Sequence, residues 1–257
     1  MNTMYPDGYV TSANEQGITT IEFFHPQSNS LPAAILQSLA AAIQEAGKDT
    51  TTTVIVLKSY GDKSFCAGAS FDELMQITSE EKGLAFFSGF ANVINAIRTC
   101  QKFVIARIQG KCVGGGVGLA AAADYAIALD TADIKLSELA VGIGPFVVGP
   151  AVERKMGTSA FTTLSIDASS WRSSQWAYQN GLFSELHTTV ENLNEAVVKL
   201  STILSKSSPE AMRELKTVFW KGTEHWDSLL KERAAISGRL VLSEFTRNAI
   251  NQFKSKK

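Results

Sequence analysis

The chain has 257 residues, 45% of them hydrophobic, which is enough apolar material for one large core or for a core with an appendage. Its 24 Lys and Arg nearly balance 25 Asp and Glu, leaving a formal charge of −1, so the composition carries no footprint of a polyanion and nucleic acid is not an expected partner. Cys66, Cys100 and Cys112 fit neither CxxC spacing nor a disulfide scaffold, no apolar run approaches the ~18 residues of a membrane span, and the N-terminus lacks a leader pattern; a soluble, cytoplasmic protein with reduced core thiols is expected.

In chain order, residues 18–24 (ITTIEFF) are rich in β-branched and aromatic side chains and predict a strand. Residues 29–47 predict a helix, with Pro32 in its first turn, Ile35, Leu39 and Ile43 at helical spacing, and Gly47 as its C-terminal cap. A buried strand follows at 53–59 (TVIVLKS). The run TSEE (78–81) has capping-box spacing and opens a helix to about Arg98. That helix carries Leu84, Phe87, Ala91 and Ile94 on one face and Phe86, Phe90, Val93 and Ile97 on the next, so it is expected to be buried on more than one side. Strands are predicted at 103–110, 124–129 and, shorter, at 133–136. From residue 207 the pattern is helical alone, with Ser208 as N-cap and Pro209 at the first helical position. A soft boundary near residue 200 divides an expected core, 1–200, from a helical region, 201–257. Trp171, Trp176, Trp220 and Trp226 read as core or subunit-interface residues.

Two segments, FCAGASFDEL (65–74) and GKCVGGGVGLAAAADYAIALD (110–130), each follow a strand-like run with small residues where a helix should start. Three readings are open. Gly116 to Ala121 satisfies the loose dinucleotide pattern GxGxx(G/A), but the next strand begins only three residues later, too soon for a helical crossover. Gly114, Gly115 and Gly116 could simply permit a tight turn and close packing of a helix on a sheet. The third reading rests on there being two such segments: backbone amides that leave a strand and enter a helix are unpaired, and two of them aimed at one point stabilise charge on a carbonyl oxygen.

Taken together, these segments resemble the enoyl-CoA hydratase/isomerase (crotonase) superfamily. FCAGASFDEL is similar to its FCAGADLKEL segment and GKCVGGGVGLAAAADYAIA to its GxALGGGxELALxCD segment. NSL (29–31), SELAVGIGP (137–145), SSQWAYQNGLFSEL (173–186) and SEFTRNAINQF (243–253) match further motifs in the same order, over nearly the whole chain. The resemblance implies an α/β fold, a crotonase-like spiral of strand-strand-helix units with a C-terminal helical region that packs trimers or hexamers. Ile236, Leu240 and Val241 are candidates for that interface, against the alternative of an ordinary core helix. It implies an acyl-CoA thioester as substrate, coenzyme A being part of that substrate, with no separate cofactor and no metal.

Carried over by position, the resemblance gives the two oxyanion-binding amides to Ala69 and Gly115. Substrate contacts fall to Cys66, Ala67, Gly68, Gly114, Gly118, Pro145 and Phe146, and His25 and Lys63 become candidates for the nucleotide phosphates. The helix from about residue 79 to 98 would bound the acyl tunnel. Of the family's two catalytic glutamates, the second corresponds to Glu138, whereas the first position holds Gly118. One carboxylate suffices to move a double bond from the 3 to the 2 position of an acyl thioester, so 3,2-enoyl-CoA isomerisation is the expected chemistry. A hydratase, including a methylglutaconyl-CoA type, with a displaced second acid from Asp72, Glu73, Glu80 or Glu81 is the alternative. Behind it stand a decarboxylase, a hydrolase and a non-catalytic acyl-CoA binder. Ser70, where the family has Asp, is expected to shape the turn through a side-chain-to-backbone hydrogen bond.

Overall fold

The computed structural model describes residues 5–255, with side chains as far as residue 252. The chain ends, on which the reading of the N-terminus and the limit of the 201–257 region partly rest, lie outside the described residues. A hairpin of β1 (Tyr9–Glu15) and β2 (Ile18–Phe24) opens the fold, and α1 (Ala33–Lys48) crosses over to β3 (Val54–Ser59), which runs parallel to β2. From β3 onward the chain repeats one unit of two strands followed by helix. β3 and β4 (Ser64–Cys66) lead into α2 (Phe71–Leu74) and α3 (Glu80–Thr99). β5 (Phe103–Ile108) and β6 (Lys111–Val113) lead into α4 (Gly115–Ala122). β7 (Tyr125–Leu129) and β8 (Ile134–Lys135) lead into a 3-10 turn at Leu139–Val141 and then α5 (Gly149–Ile166). After α6 (Ser174–Gln179), β9 (Glu185–His187) completes the larger sheet. Its strand order is β1-β2-β3-β5-β7-β9, and β4-β6-β8 form a second, wholly parallel sheet. Each unit thus gives its first strand to one sheet and its second to the other, which is the expected spiral.

This routing explains why α4 is so short. The crossover from β5 to β7 passes through β6 as well as the helix, so eight helical residues complete it. The inner strands β3, β5 and β7 of the larger sheet are buried on both faces, as parallel strands usually are. Ile55 and Leu57 face the main core, while Val54 and Val56 join Ile105, Ile127 and Leu129 beneath α7 (Val190–Ser205). β1, β4, β6 and β9 carry no sequence signal long enough to predict them.

Three helix ends differ from expectation. Pro32 is the N-cap of α1 rather than a first-turn residue, and Gly47 lies inside α1, which ends at Lys48. Gly47 is small because a Cβ there would lie 3.0 Å from the Cys100 sulfur. α3 is capped by Ser79, whose Oγ accepts a hydrogen bond from the Lys82 amide at 3.3 Å, rather than by Thr78. Ser208 and Pro209 open α8 (Pro209–Phe219) as predicted.

After α8 come α9 (Trp226–Leu240) and α10 (Glu244–Ser255). Residue 200 falls within α7, and α9 packs along α3. Val241 is buried in the chain's own core, whereas Ile236 and Leu240 are half-buried. Trp220 and Trp226 meet edge to face in the interior, but Trp171 is 43% exposed and does not belong to the core.

Gly83 and Gly238 make the crossing of α3 and α9 possible. A Cβ on Gly83 would lie 2.6 Å from the Gly238 Cα, and one on Gly238 would lie 2.6 Å from the Leu84 amide nitrogen. Both obstacles are backbone, so neither can swing aside. Gly238→Ala is therefore expected to push α9 from α3 and to cost about 1–3 kcal/mol, as overpacked sites do. Urea unfolding of the variant checks this, and a midpoint unchanged from wild type would contradict it.

Candidate active site

The three strands of the smaller sheet run parallel, so their C-terminal ends open on the same side, where open α/β sheets commonly bind ligands. β4 delivers Ala67, Gly68 and Ala69, β6 delivers Gly114 and Gly115, and β8 delivers Ser137 and Glu138. All seven line one inner cavity of about 70 Å³. Phe71 and Leu74 from α2, Phe87 and Phe90 from α3, Pro145 to Val148 ahead of α5, and Ser237 from α9 close its walls.

Glycine is required at the convergence. Gly68 and Gly114 have positive φ, +87° and +52°. A Cβ on Gly115 would strike the Phe90 ring, and one on Gly116 would lie 2.5 Å from the Cys66 carbonyl oxygen. The two glycine-rich segments are therefore pressed together, with Gly68 beside the Gly115 amide. The isolated bridge between Leu31 and Ala69 uses the Gly68 carbonyl and the Ser70 amide, which accounts for both neighbours of the Ala69 amide. Among the described residues no acceptor meets the amides of Ala69 and Gly115. Gly115 is the first residue of α4, whose partial positive charge lies at that end. Ser70 Oγ accepts from the Glu73 amide at 3.4 Å and caps α2, as expected of the turn.

Glu138 follows β8 directly and precedes the 3-10 turn. Its Oε2 is sealed from solvent and has no hydrogen-bond partner. The carboxylate lies over Gly114, where a Cβ would approach Oε1 to 2.9 Å. Burial among apolar walls raises its pKa from 4.5 to about 7, although a backbone hydrogen bond pulls the other way. Among the described residues it is the only ionisable side chain lining the inner cavity.

Gly118 does not line the cavity. A Cβ on it would lie 2.4 Å from Val148 Cγ1, so α5 occupies the space a longer side chain would need. None of the four other candidate acids reaches the inner cavity. Asp72 accepts from Gln27 Nε2 at 2.8 Å in the wall of an outer cavity. Glu73 accepts from the Ala33 amide at 2.7 Å, at the start of α1. Glu80 and Glu81 are exposed on the first turn of α3, and a Ser79 hydrogen bond holds the Glu81 carboxyl below its usual range.

The outer cavity, about 700 Å³, shares Ala67, Ala69, Phe71, Val113, Ser137 and Val141 with the inner one. Pro145 and Phe146 line the inner cavity as expected; Cys66, His25 and Lys63 line neither. Cys66 is fully buried, and burial pushes its thiol up to about 12. His25 is 9% exposed, with Nδ1 3.1 Å from Ser30 Oγ, and burial lowers its pKa despite the nearby carboxylates of Glu73, Asp7 and Asp72. Lys63 lies on the surface.

A sequence model of the family described as enoyl-CoA hydratase/isomerase matches residues 13–253. The chain belongs to that family. Among relatives of the enoyl-CoA hydratase/isomerase family, a Rhodococcus jostii protein named (7aS)-7a-methyl-1,5-dioxo-2,3,5,6,7,7a-hexahydro-1H-indene-carboxyl-CoA hydrolase is 27% identical over 215 residues, covering 82% of this chain and 83% of that one. A Rhizobium meliloti protein named "Probable enoyl-CoA hydratase" is 30% identical, covering 81% and 79%. The solved enoyl-CoA hydratase of Bacillus halodurans superposes with a TM-score of 0.87 at 22% identity, over 95% of this chain and 99% of that one, and so shares the crotonase fold.

The sequence reading points to the strand ends that line this cavity and misses most of its walls. Ser237 lies about 100 residues from Glu138, and nothing local marks it as facing the cavity. Among the described residues, no helix is long and apolar enough to cross a membrane.

Proposed function

We propose that the chain is an acyl-CoA enzyme working through a thioester enolate, with 3,2-enoyl-CoA isomerisation as its reaction. What supports this reading is Glu138, the one ionisable side chain among the described residues of a cavity that Ala69 and Gly115, whose amides meet no acceptor among the described residues, also line. In this reading the amides of Ala69 and Gly115 hold the thioester oxygen. Ionised Glu138 takes a proton from C2, the electron pair moves into a dienolate, and negative charge gathers on that oxygen. The protonated Glu138 then returns the proton at C4, and the double bond forms between C2 and C3. A carboxyl titrating at about 7 suits a group that takes and returns a proton near neutral pH. The walls of Phe87, Phe90, Phe146 and Val147 keep water from the enolate.

Hydration would call for a second acid to hold a water, and Val148 fills the space at Gly118. A hydrolase is the second reading, favoured by the name of the Rhodococcus relative. A trimer or hexamer belongs to the same proposal through the resemblance, and light scattering tests it.

The chemical test follows conjugated-thioester absorbance with a short trans-3-enoyl-CoA and with the matching trans-2-enoyl-CoA. Isomerisation predicts a rise with the first and little loss with the second. Loss with the second and no rise with the first would give hydration instead. Release of free thiol from either would favour the hydrolase.

A further inference from the structure

The inner cavity has a polar side chain in its wall, from the C-terminal part of the chain, that the enolate chemistry does not use. Among the described residues only Ser137, Glu138 and Ser237 bring polar side chains to that wall. Ser137 also lines the outer cavity, whereas Ser237 lines the inner one alone. An acyl group that enters past Ser137 therefore has Ser237 in the wall of the space it fills.

Ser237 stands where α9 calls for an apolar residue. The buried face of that helix is Trp226, Leu230, Ala234, Ser237 and Gly238, and Ser237 is 1% exposed. A serine inside a helix often turns its hydroxyl back to a carbonyl of the preceding turn. The buried Ser201 of α7 does so, donating to the Val197 carbonyl at 2.8 Å. Ser237 does not: among the described residues its hydroxyl has no hydrogen-bond partner. Such a hydroxyl costs free energy that an alanine would avoid, unless a ligand pairs with it.

The position of Ser237 is also fixed. Gly83 meets Gly238 backbone to backbone, and Arg98 meets Asp227 at 2.9 Å, so α3 and α9 run antiparallel and are held towards both ends. Ser237 adjoins the first of these contacts and shares the cavity wall with Phe87 and Phe90 of α3.

The chemistry of the wall narrows what can pair with it. Among the described residues no Lys, Arg or His lines the inner cavity, so a carboxylate on the acyl group would be buried without a counter-ion and in the same small space as Glu138. A neutral oxygen carries no such cost, and a serine hydroxyl can donate to it. We infer that Ser237 is a specificity-determining residue, selecting acyl thioesters that bear a neutral acceptor oxygen, a ketone or an alcohol, beyond the reacting carbons. This rests on the acyl-CoA reading and adds the substrate class to it.

The test measures, by calorimetry on the full chain, binding of 5-oxohexanoyl-CoA and of 5-methylhexanoyl-CoA, which has a methyl group in place of the ketone oxygen. Saturated thioesters keep the readout independent of which reaction the enzyme catalyses. The wild type is expected to bind the oxo thioester about tenfold more tightly, a ratio typical of one buried hydrogen bond, because the methyl form leaves the hydroxyl unpaired. Ser237→Ala is expected to bring the two affinities together. The ratio is the readout, so a general weakening of the variant does not imitate the result. An equal or inverted ratio in the wild type overturns the inference, as does a preference that survives Ser237→Ala. A wild type that binds butyryl-CoA but neither of the longer thioesters overturns it too. If butyryl-CoA does not bind either, the acyl-CoA reading itself falls.

Discussion

Glu138→Gln is expected to lower turnover by about 10²- to 10⁴-fold, the usual contribution of a positioned general acid–base, while making the folded chain more stable above neutral pH. The two effects share one cause. Gln keeps the size of the side chain over Gly114 but neither takes nor returns a proton. In the wild type, burial holds the folded-state pKa at about 7 against 4.5 for a free glutamate. Below pH 4.5 both states are protonated and the group does not affect stability. Between 4.5 and 7 the unfolded chain ionises first, so the folded state loses stability as pH rises, by about 3 kcal/mol once both are ionised. Gln escapes this loss. Urea midpoints of wild type and variant should nearly coincide at about pH 4.5, with the variant ahead at about pH 8. Equal midpoints at both pH values would mean that the carboxylate is not buried as described.

The second large effect lies away from the cavity, at Asp124. Its Oδ2 accepts from Lys216 Nζ at 2.8 Å and from the Val104 amide at 2.7 Å, and its Oδ1 accepts from Trp220 Nε1 at 3.1 Å. Lys216, at 2% exposure, also donates to the Lys102 carbonyl, and Lys155 donates to the carbonyls of Ala123 and Asp124. Burial lowers the Lys155 pKa, and the Asp124 charge works against that loss. One carboxylate thus joins α8 to β5 and β7 and compensates the cations around it. Asp124→Ala leaves a buried ammonium without its partner, which typically costs 3–5 kcal/mol, roughly 10 °C in melting temperature for a chain of this size. Lys216→Met, which removes the cation instead, leaves Asp124 its amide and indole donors and should cost less. Calorimetric melting of the two variants checks the order; equal losses would contradict it.

These two sites differ in how far the sequence reveals them. Glu138 stands between a two-residue strand and a 3-10 turn, too short for any periodic signal, and is legible only through the resemblance carried by SELAVGIGP. Asp124 opens the strand predicted at 124–129, but its partners Lys216 and Trp220 are more than 90 residues away. β3, β5 and α3 were legible because their apolar periods run long enough to count. β4 and β6 were not, having three residues each, and β8 showed only as the short run 133–136, yet the small residues after β4 and β6 marked where the backbone comes close. Gly47 shows the limit of that cue: as a glycine near a helix end it reads as a cap, whereas its reason is the sulfur of Cys100 across the core. Gly118 is the same lesson at the site, because its partner Val148 becomes a neighbour only when α4 packs on α5.

The most direct test of the enolate site is hydrogen exchange at the α-carbon of butyryl-CoA in deuterated water, followed by proton NMR. Exchange needs only the two amides and one base, with no double bond and no water addition. The wild type should exchange the α-protons well above the uncatalysed rate, and Glu138→Gln should return them to that rate. Exchange that survived the substitution would mean that another group is the base, and a wild type without exchange would contradict the enolate site.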